Sequence, residues 1–349
     1  MTDIDIRKDG HAGRITLNRP KALNALTYEM CLAIENALWN WREDPTIKLV
    51  LIDAMGEKAF CAGGDIADMY ASGTAGDYAY GQRFWRDEYR MNALLSEYPK
   101  PVVSFLQGFT MGGGVGVGCH GSHRVVGDSS RIAMPECGIG LIPDVGGSYL
   151  LARAPGQVGA YLGLTADRMG PGGAIFVGFA DLYMPESAWD SIKVGLCSQG
   201  NVASLTKAAQ PAPEAALIEH RAQIDHLFAA ETLADLVAKL RSDPGDFAQQ
   251  ALAKLSRNAP LSMAFTLEML KQLRSGPLGI RTALELEYRF TSRAMEHGDF
   301  IEGIRAAIID KDKSPKWSHD LTGVPEADVA KMLQPVAGEN VTFERRSEA

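Results

Sequence analysis

The sequence predicts an α/β fold, and three observations predict it. The continuous apolar run Leu49–Ile52 and the largely apolar Val102–Leu106 read as buried strands. Helical patterns alternate with short strands up to about Met184, as repeated crossovers require. From Ala215 to Ile309 the apolar spacing is helical throughout. Taken in order, Ile4–Ile6 and Arg14–Leu17 flank the turn signal Asp9-Gly10 and make a hairpin. Thr27 is placed to cap a helix with Ile34, Leu38 and Trp41 on one face, and Pro45 closes that helix. After the strand at Leu49 comes a Gly-rich loop, Cys61-Ala62-Gly63-Gly64-Asp65, and then a helix from Asp77 to about Ser96. Beyond the strand at Val102, Gly108 and Gly112-Gly113-Gly114 lead into a helix over Val115–His120. His123–Val126 and Arg131–Ala133 are short strands, Pro135-Glu136 and Pro143-Asp144 fall in loops, and Val145–Arg153 is helical. Gly200–Pro213, rich in small residues and proline, reads as a linker or exposed loop, and the pattern loosens again from Asp310.

Bulk properties exclude several classes. The chain has 349 residues, enough for one large domain or a domain with a helical extension. A composition 46% apolar and 22% charged is that of a globular protein and not of a disordered one. A net charge of −8 argues against a nucleic-acid partner, which calls for a basic face. The five cysteines are odd in number and form no C-x-x-C pair, so reduced thiols and a cytoplasmic location are expected. Met1–Gly10 has neither the basic start of a signal peptide nor the Arg-rich character of a transit peptide. No apolar run has the length of a membrane span.

Chemistry concentrates in two glycine-rich stretches and two acids. Gly63-Gly64 and Gly112-Gly113-Gly114 present backbone N–H groups with no Cβ in the way, and the second lies where a strand gives way to a helix. Two such N–H groups aimed at one carbonyl oxygen make an oxyanion hole. The same glycines would also serve simply to permit tight packing. Glu136 and Asp144 each follow a proline among apolar residues, where a partly desolvated carboxylate becomes a general base or nucleophile, although solvated loop acids are the commoner case. Gly116-Val117-Gly118-Cys119-His120-Gly121 matches G-x-G-x-x-G, but its glycines fall inside a helix, so it is not read as a dinucleotide site. His120 and His123 lack the further ligands a metal site needs, and no G-x-S-x-G is present.

These motifs together resemble the crotonase (enoyl-CoA hydratase/isomerase) superfamily. Leu17-Asn18-Arg19-Pro20 with Ala22–Leu26, Phe60–Ile66 and Gly108–Gly118 carry the resemblance. Within the superfamily the chain is most similar to the 3-hydroxyisobutyryl-CoA hydrolases, through Met111–Gly116, Met134-Pro135-Glu136, Gly140–Gly147, Glu287-Tyr288-Arg289, Glu302–Ala306 and Asp310–Trp317. The resemblance implies a spiral of ββα turns in residues 1–200, carrying the CoA site and oxyanion hole, completed by a helical C-terminal region in residues 201–349. It implies that Gly64 and Gly113 hold the thioester oxygen, that Glu136 and Asp144 are catalytic, and that Glu88 lines the substrate pocket. The ADP part of CoA would lie along Ala22-Leu23 and Ala62–Ile66, Asp65 included, with Lys311 near the phosphates. The substrate is then a short-chain acyl-CoA; no metal or other cofactor, membrane or nucleic acid is implied, and a homo-oligomer, a trimer or a multiple of one, is.

One departure bears on the reaction. Two-glutamate hydratases of the superfamily carry a glutamate where this chain has Gly116, and commonly a glycine where it has Asp144. Hydrolysis of a short 3-hydroxyacyl thioester fits both changes. Hydration or isomerisation of an enoyl-CoA, and a non-catalytic acyl-CoA- or RNA-binding member, are the alternatives.

Overall fold

The computed structural model describes residues 2–345. Its strands are β1 (Ile4–Asp9), β2 (Ala12–Leu17), β3 (Leu49–Ala54), β4 (Ala59–Cys61), β5 (Val102–Phe105), β6 (Phe109–Met111), β7 (His123–Val126), β8 (Arg131–Ala133) and β9 (Leu182–Tyr183). Helices α1 (Tyr28–Arg42), α2 (Ala67–Thr74), α3 (Ala79–Ser96), α4 (Gly113–Gly118) and α5 (Gly147–Arg153) lie among them. After the antiparallel hairpin of β1 and β2, each turn of chain lays one strand into a six-stranded sheet of order β1-β2-β3-β5-β7-β9. The next strand goes into a parallel three-stranded sheet of order β4-β6-β8, and helix follows. This is the expected spiral of ββα turns.

Local chemistry accounts for the elements. The Thr27 hydroxyl accepts from Met30 N at 3.2 Å and caps α1. Gly13 is required because α1 lies on β2, where a Cβ would stand 2.3 Å from the Trp41 ring. Leu49–Ile52 of β3 is an unbroken apolar run because both faces of the strand are covered there. Val50 and Ile52 join the main core, while Leu49 and Leu51 pack with Trp189, Leu196 and Leu205 on the other side.

Two regions differ from expectation. The segment read as a linker contains a helix, Ala203–Ala208, pinned by the fully buried Leu205, and Gln210 N then donates to Tyr183 O at 2.9 Å. One apolar anchor in a short helix leaves no period to detect. The helix Glu326–Leu333 likewise interrupts the stretch expected to be irregular. Between them the helices Leu233–Ser242, Asp246–Leu255, Pro260–Ser275 and Ile280–His297 share the main core with the spiral.

Candidate active site

The site forms where the two glycine-rich stretches meet. Asn24 ties down the first loop: its amide donates to Met55 O and Ala59 O, both at 2.9 Å, and its carbonyl accepts from Arg19 N at 2.8 Å. Arg19 reaches Asp65 at 2.9 Å, Ala62 N donates to Leu23 O, and Leu26 bridges Gly64. Exposed Ala22 and half-buried Leu23, Ala62, Asp65 and Ile66 therefore form one continuous strip.

Gly112 takes φ 51° and ψ −120°, a conformation open to glycine, and turns β6 into α4. Gly114 lets α4 sit directly on β4, since a Cβ there would lie 2.1 Å from Cys61 O. The backbone of α4 thus meets the Gly63-Gly64 loop. A Cβ on Gly113 would be 3.3 Å from Gly64 N and 3.1 Å from Glu88 Oε1. No acceptor among the described residues takes the N–H of Gly64 or Gly113.

α3 contributes Glu88 from a fixed rotation. Arg90 pairs with Glu35 of α1 at 2.5 Å and with Asp87 at 2.9 Å, all three buried, and this network bolts α3 to α1. Removing one member of such a network costs about 3–5 kcal/mol. Glu136 begins a short 3-10 turn, Glu136–Ile139, and its Oε1 is 2.7 Å from where a Cβ on Gly112 would stand. Asp144 accepts a hydrogen bond from the Tyr89 hydroxyl at 2.8 Å. Glu88, Glu136 and Asp144, with Gly64, Gly113, Ala62 and Ile66, line one cavity of about 240 Å³. Trp85, Phe84, Leu141 and Phe300 supply its apolar walls, and the half-exposed Ile308 is also on its lining.

The acids share one dry environment. Glu88 Oε1 and Glu136 Oε2 are buried without a hydrogen-bond partner among the described residues. Burial holds the proton affinity of Glu88, Glu136 and Asp144 above the usual carboxylate range, and Asp144 pushes Glu88 and Glu136 further.

The structure brings together every proposed catalytic and oxyanion residue. Asp65, Ala22 and Leu23 lie beside the cavity and not in its lining. Lys311 is exposed, three positions beyond Ile308. Sequence reasoning gave no role to Tyr89, Asn92 or Glu287, all buried at this site or behind it. Burial and the charge of Asp144 raise Glu287 to about 8, against three hydrogen bonds that lower it. The helical spacing of Glu287 with Leu284 and Thr291 was the available signal.

Known proteins resemble this chain in sequence and in fold. The chain is 41% identical to 3-hydroxyisobutyryl-CoA hydrolase, mitochondrial, of Xenopus tropicalis, over 90% of this chain and 84% of that one. It is 35% identical to the Homo sapiens protein of the same name, over 98% and 91%. The crystal structure of an enoyl-CoA hydratase from Rhodobacter sphaeroides superposes with TM-score 0.94 at 54% identity, covering 98% of this chain and 100% of that one. That of a carnitinyl-CoA dehydratase from Mycobacterium thermoresistibile gives 0.94 at 40% identity, covering 99% and 100%. The expected cytoplasmic location is overturned: the hydrolase relatives are named mitochondrial and point to mitochondria. Free buried thiols and an acidic balance suit any reducing compartment, so composition carried no address. Residues 12–333 match the family model described as Enoyl-CoA hydratase/isomerase, and the chain belongs to that family.

Proposed function

We propose that this chain hydrolyses the thioester of a short 3-hydroxyacyl-CoA, above all 3-hydroxyisobutyryl-CoA, releasing 3-hydroxyisobutyrate and CoA as a step of valine breakdown. The observation that carries the reading is the convergence of Glu136 and Asp144 on a cavity whose glycines, Gly64 and Gly113, keep two N–H groups free. The names of the hydrolase relatives support it.

In this reading the thioester oxygen sits between the Gly64 and Gly113 N–H groups, which stabilise the oxyanion as the carbonyl carbon becomes tetrahedral. Glu136 either attacks that carbon, expelling the thiolate and forming a mixed anhydride that water then cleaves to the free acid and Glu136, or takes a proton from a water that attacks the thioester and expels the thiolate. Asp144 accepts a hydrogen bond from the 3-hydroxyl, and Glu88 lines the acyl pocket. The ADP part of CoA runs along Ala22-Leu23 and Ala62–Ile66, with Lys311 toward its phosphates. The reaction needs no metal or redox cofactor, and the chain works as a homo-oligomer, a trimer or a multiple of one.

Likeness to the Rhodobacter sphaeroides enoyl-CoA hydratase favours a second reading, hydration of an enoyl-CoA. Gly116, which leaves the second glutamate missing, weighs against it. Intact Glu136 and Asp144 weigh against a non-catalytic member. Pure protein is incubated with 3-hydroxyisobutyryl-CoA and a thiol reagent, before and after dialysis against a strong chelator. Release of CoA at the same rate in both supports the proposal. Faster hydration of crotonyl-CoA than hydrolysis of the 3-hydroxyacyl thioester would falsify it.

A further inference from the structure

Val145, directly after Asp144, has φ 51°. A β-branched residue in the left-handed region is a true backbone outlier, and such strain persists only where the surroundings impose it. Two buried groups from distant elements do so here. His120 Nε2 donates to Val145 O at 2.8 Å, across 25 residues. Gly146 N, the next donor along, gives its hydrogen bond to Glu287 Oε2 at 2.9 Å, across 141 residues. Glu287 Oε1 also accepts from Ser148 N at 3.2 Å and from the Ser148 hydroxyl. The turn closes on itself through Gly147 N to Asp144 O at 2.6 Å.

The same C-terminal helix reaches Asp144 a second time. Thr291, one turn beyond Glu287 on Ile280–His297, lies 3.3 Å from the Tyr89 hydroxyl that donates to Asp144. Tyr89, Glu287 and Thr291 are fully buried. A carboxylate that served only to start α5 would have no need of a strained residue beside the acid.

We infer that Glu287 and His120 are positioning residues, which clamp the strained Val145 between them and thereby set the direction of the Asp144 carboxylate. The inference rests on the role proposed above for Asp144, and it names what orients that acid.

The test uses the full chain carrying Glu287→Gln. Glutamine keeps the shape but turns an NH2 group toward one of the backbone donors, so one clamp bond is lost. Turnover of 3-hydroxyisobutyryl-CoA should fall roughly 10- to 100-fold, the effect of a misplacement near an ångström. KM should change little, and the preference for 3-hydroxyisobutyryl-CoA over isobutyryl-CoA should collapse. Adding Val145→Gly should recover most of the loss, since glycine takes positive φ without strain. In the crystal structure of Glu287→Gln, residue 145 should relax to negative φ and Asp144 should leave Tyr89. Wild-type turnover and hydroxyl preference, or an unmoved residue 145, would overturn the clamp. If Glu287→Gln does not fold, His120→Ala is read in the same ways. A wild-type protein inactive on both thioesters would sink the proposed function alone, because the φ of residue 145 in the variant still decides the clamp.

Discussion

The carboxamide of Asn92 occupies the space that a side chain on Gly116 would need. A Cβ there would stand 2.7 Å from Asn92 Nδ2 and 2.9 Å from Val145 Cβ. Asn92 is fully buried, and neither of its polar side-chain atoms has a hydrogen-bond partner among the described residues. The second glutamate of a two-glutamate site therefore has no room in α4. Gly116→Glu should overpack the site, lower stability by about 1–3 kcal/mol and give no crotonyl-CoA hydration. Thermal melts and a hydration assay check this; a variant with wild-type stability and new hydratase activity would refute it.

Glu136→Gln should cut turnover by at least roughly 100-fold, the lower range for a positioned acid or base. Its KM should hold, because the strip from Ala22 to Ile66 is untouched. Single-turnover hydrolysis in heavy-oxygen water then separates the two mechanisms. Attack by Glu136, with water then opening the anhydride at the Glu136 carboxyl carbon, leaves the first product unlabelled and the label in Glu136; attack by water on the thioester puts one label in the product and none in Glu136.

Asp144 should set the hydroxyl preference. Without the 3-hydroxyl Asp144 keeps its Tyr89 hydrogen bond but is one partner short, a loss on the order of 1–3 kcal/mol, so isobutyryl-CoA should be about 5- to 150-fold poorer than 3-hydroxyisobutyryl-CoA in kcat/KM. Asp144→Gly should erase most of that ratio. Retention of the full ratio would assign the discrimination to another group.

Gly114→Ala should disable the oxyanion hole without touching an acid. The new methyl would collide with Cys61 O, a backbone atom that cannot swing aside, and α4 must lift away from Gly64. Loss of one donor from such a hole costs roughly 100- to 1000-fold in turnover. Near-normal turnover in a folded Gly114→Ala protein would show that the two loops need not touch.

Stability should rise as pH is lowered from about 8 to about 6.5. Burial, reinforced by mutual repulsion, raises Glu88, Glu136 and Glu287, and burial raises Asp144; Glu287 reaches about 8. The unfolded carboxyls titrate near 4, so the folded state binds more protons through this window, and raising the pH costs stability. Below about 6.5 His120, pushed by burial down to about 4, acts in the opposite direction. Melting temperatures across the window check the sign, and a Tm that climbs with pH would contradict it.

What the sequence made legible was whatever repeats or has a strong local signature. β3 and β5 announced themselves as apolar runs, Thr27 as a cap, and Gly63-Gly64 and Gly112-Gly113-Gly114 as places where backbone comes close to something. β4 and β6 did not, being three residues each within or beside the glycine-rich stretches, although with β8, read as Arg131–Ala133, they build the sheet that places Met111 and Gly112. Glu136 and Asp144 stood out by their prolines. Glu287 and Asn92 lay in ordinary helical patterns, and only long-range packing shows that one meets Gly146 and the other Gly116.

The anchored segment after residue 200 bears on how the protein stays dispersed. An open six-stranded sheet has two rims, each a template onto which a foreign strand could zip. On one rim β1 carries Asp5, Arg7, Lys8 and Asp9. On the other β9 is only Leu182–Tyr183, and Gln210 already pairs with Tyr183, held there by the Leu205 anchor. The stretch whose composition reads as a linker or exposed loop is thus the stopper on that rim, and excising it would invite chains to join edge to edge.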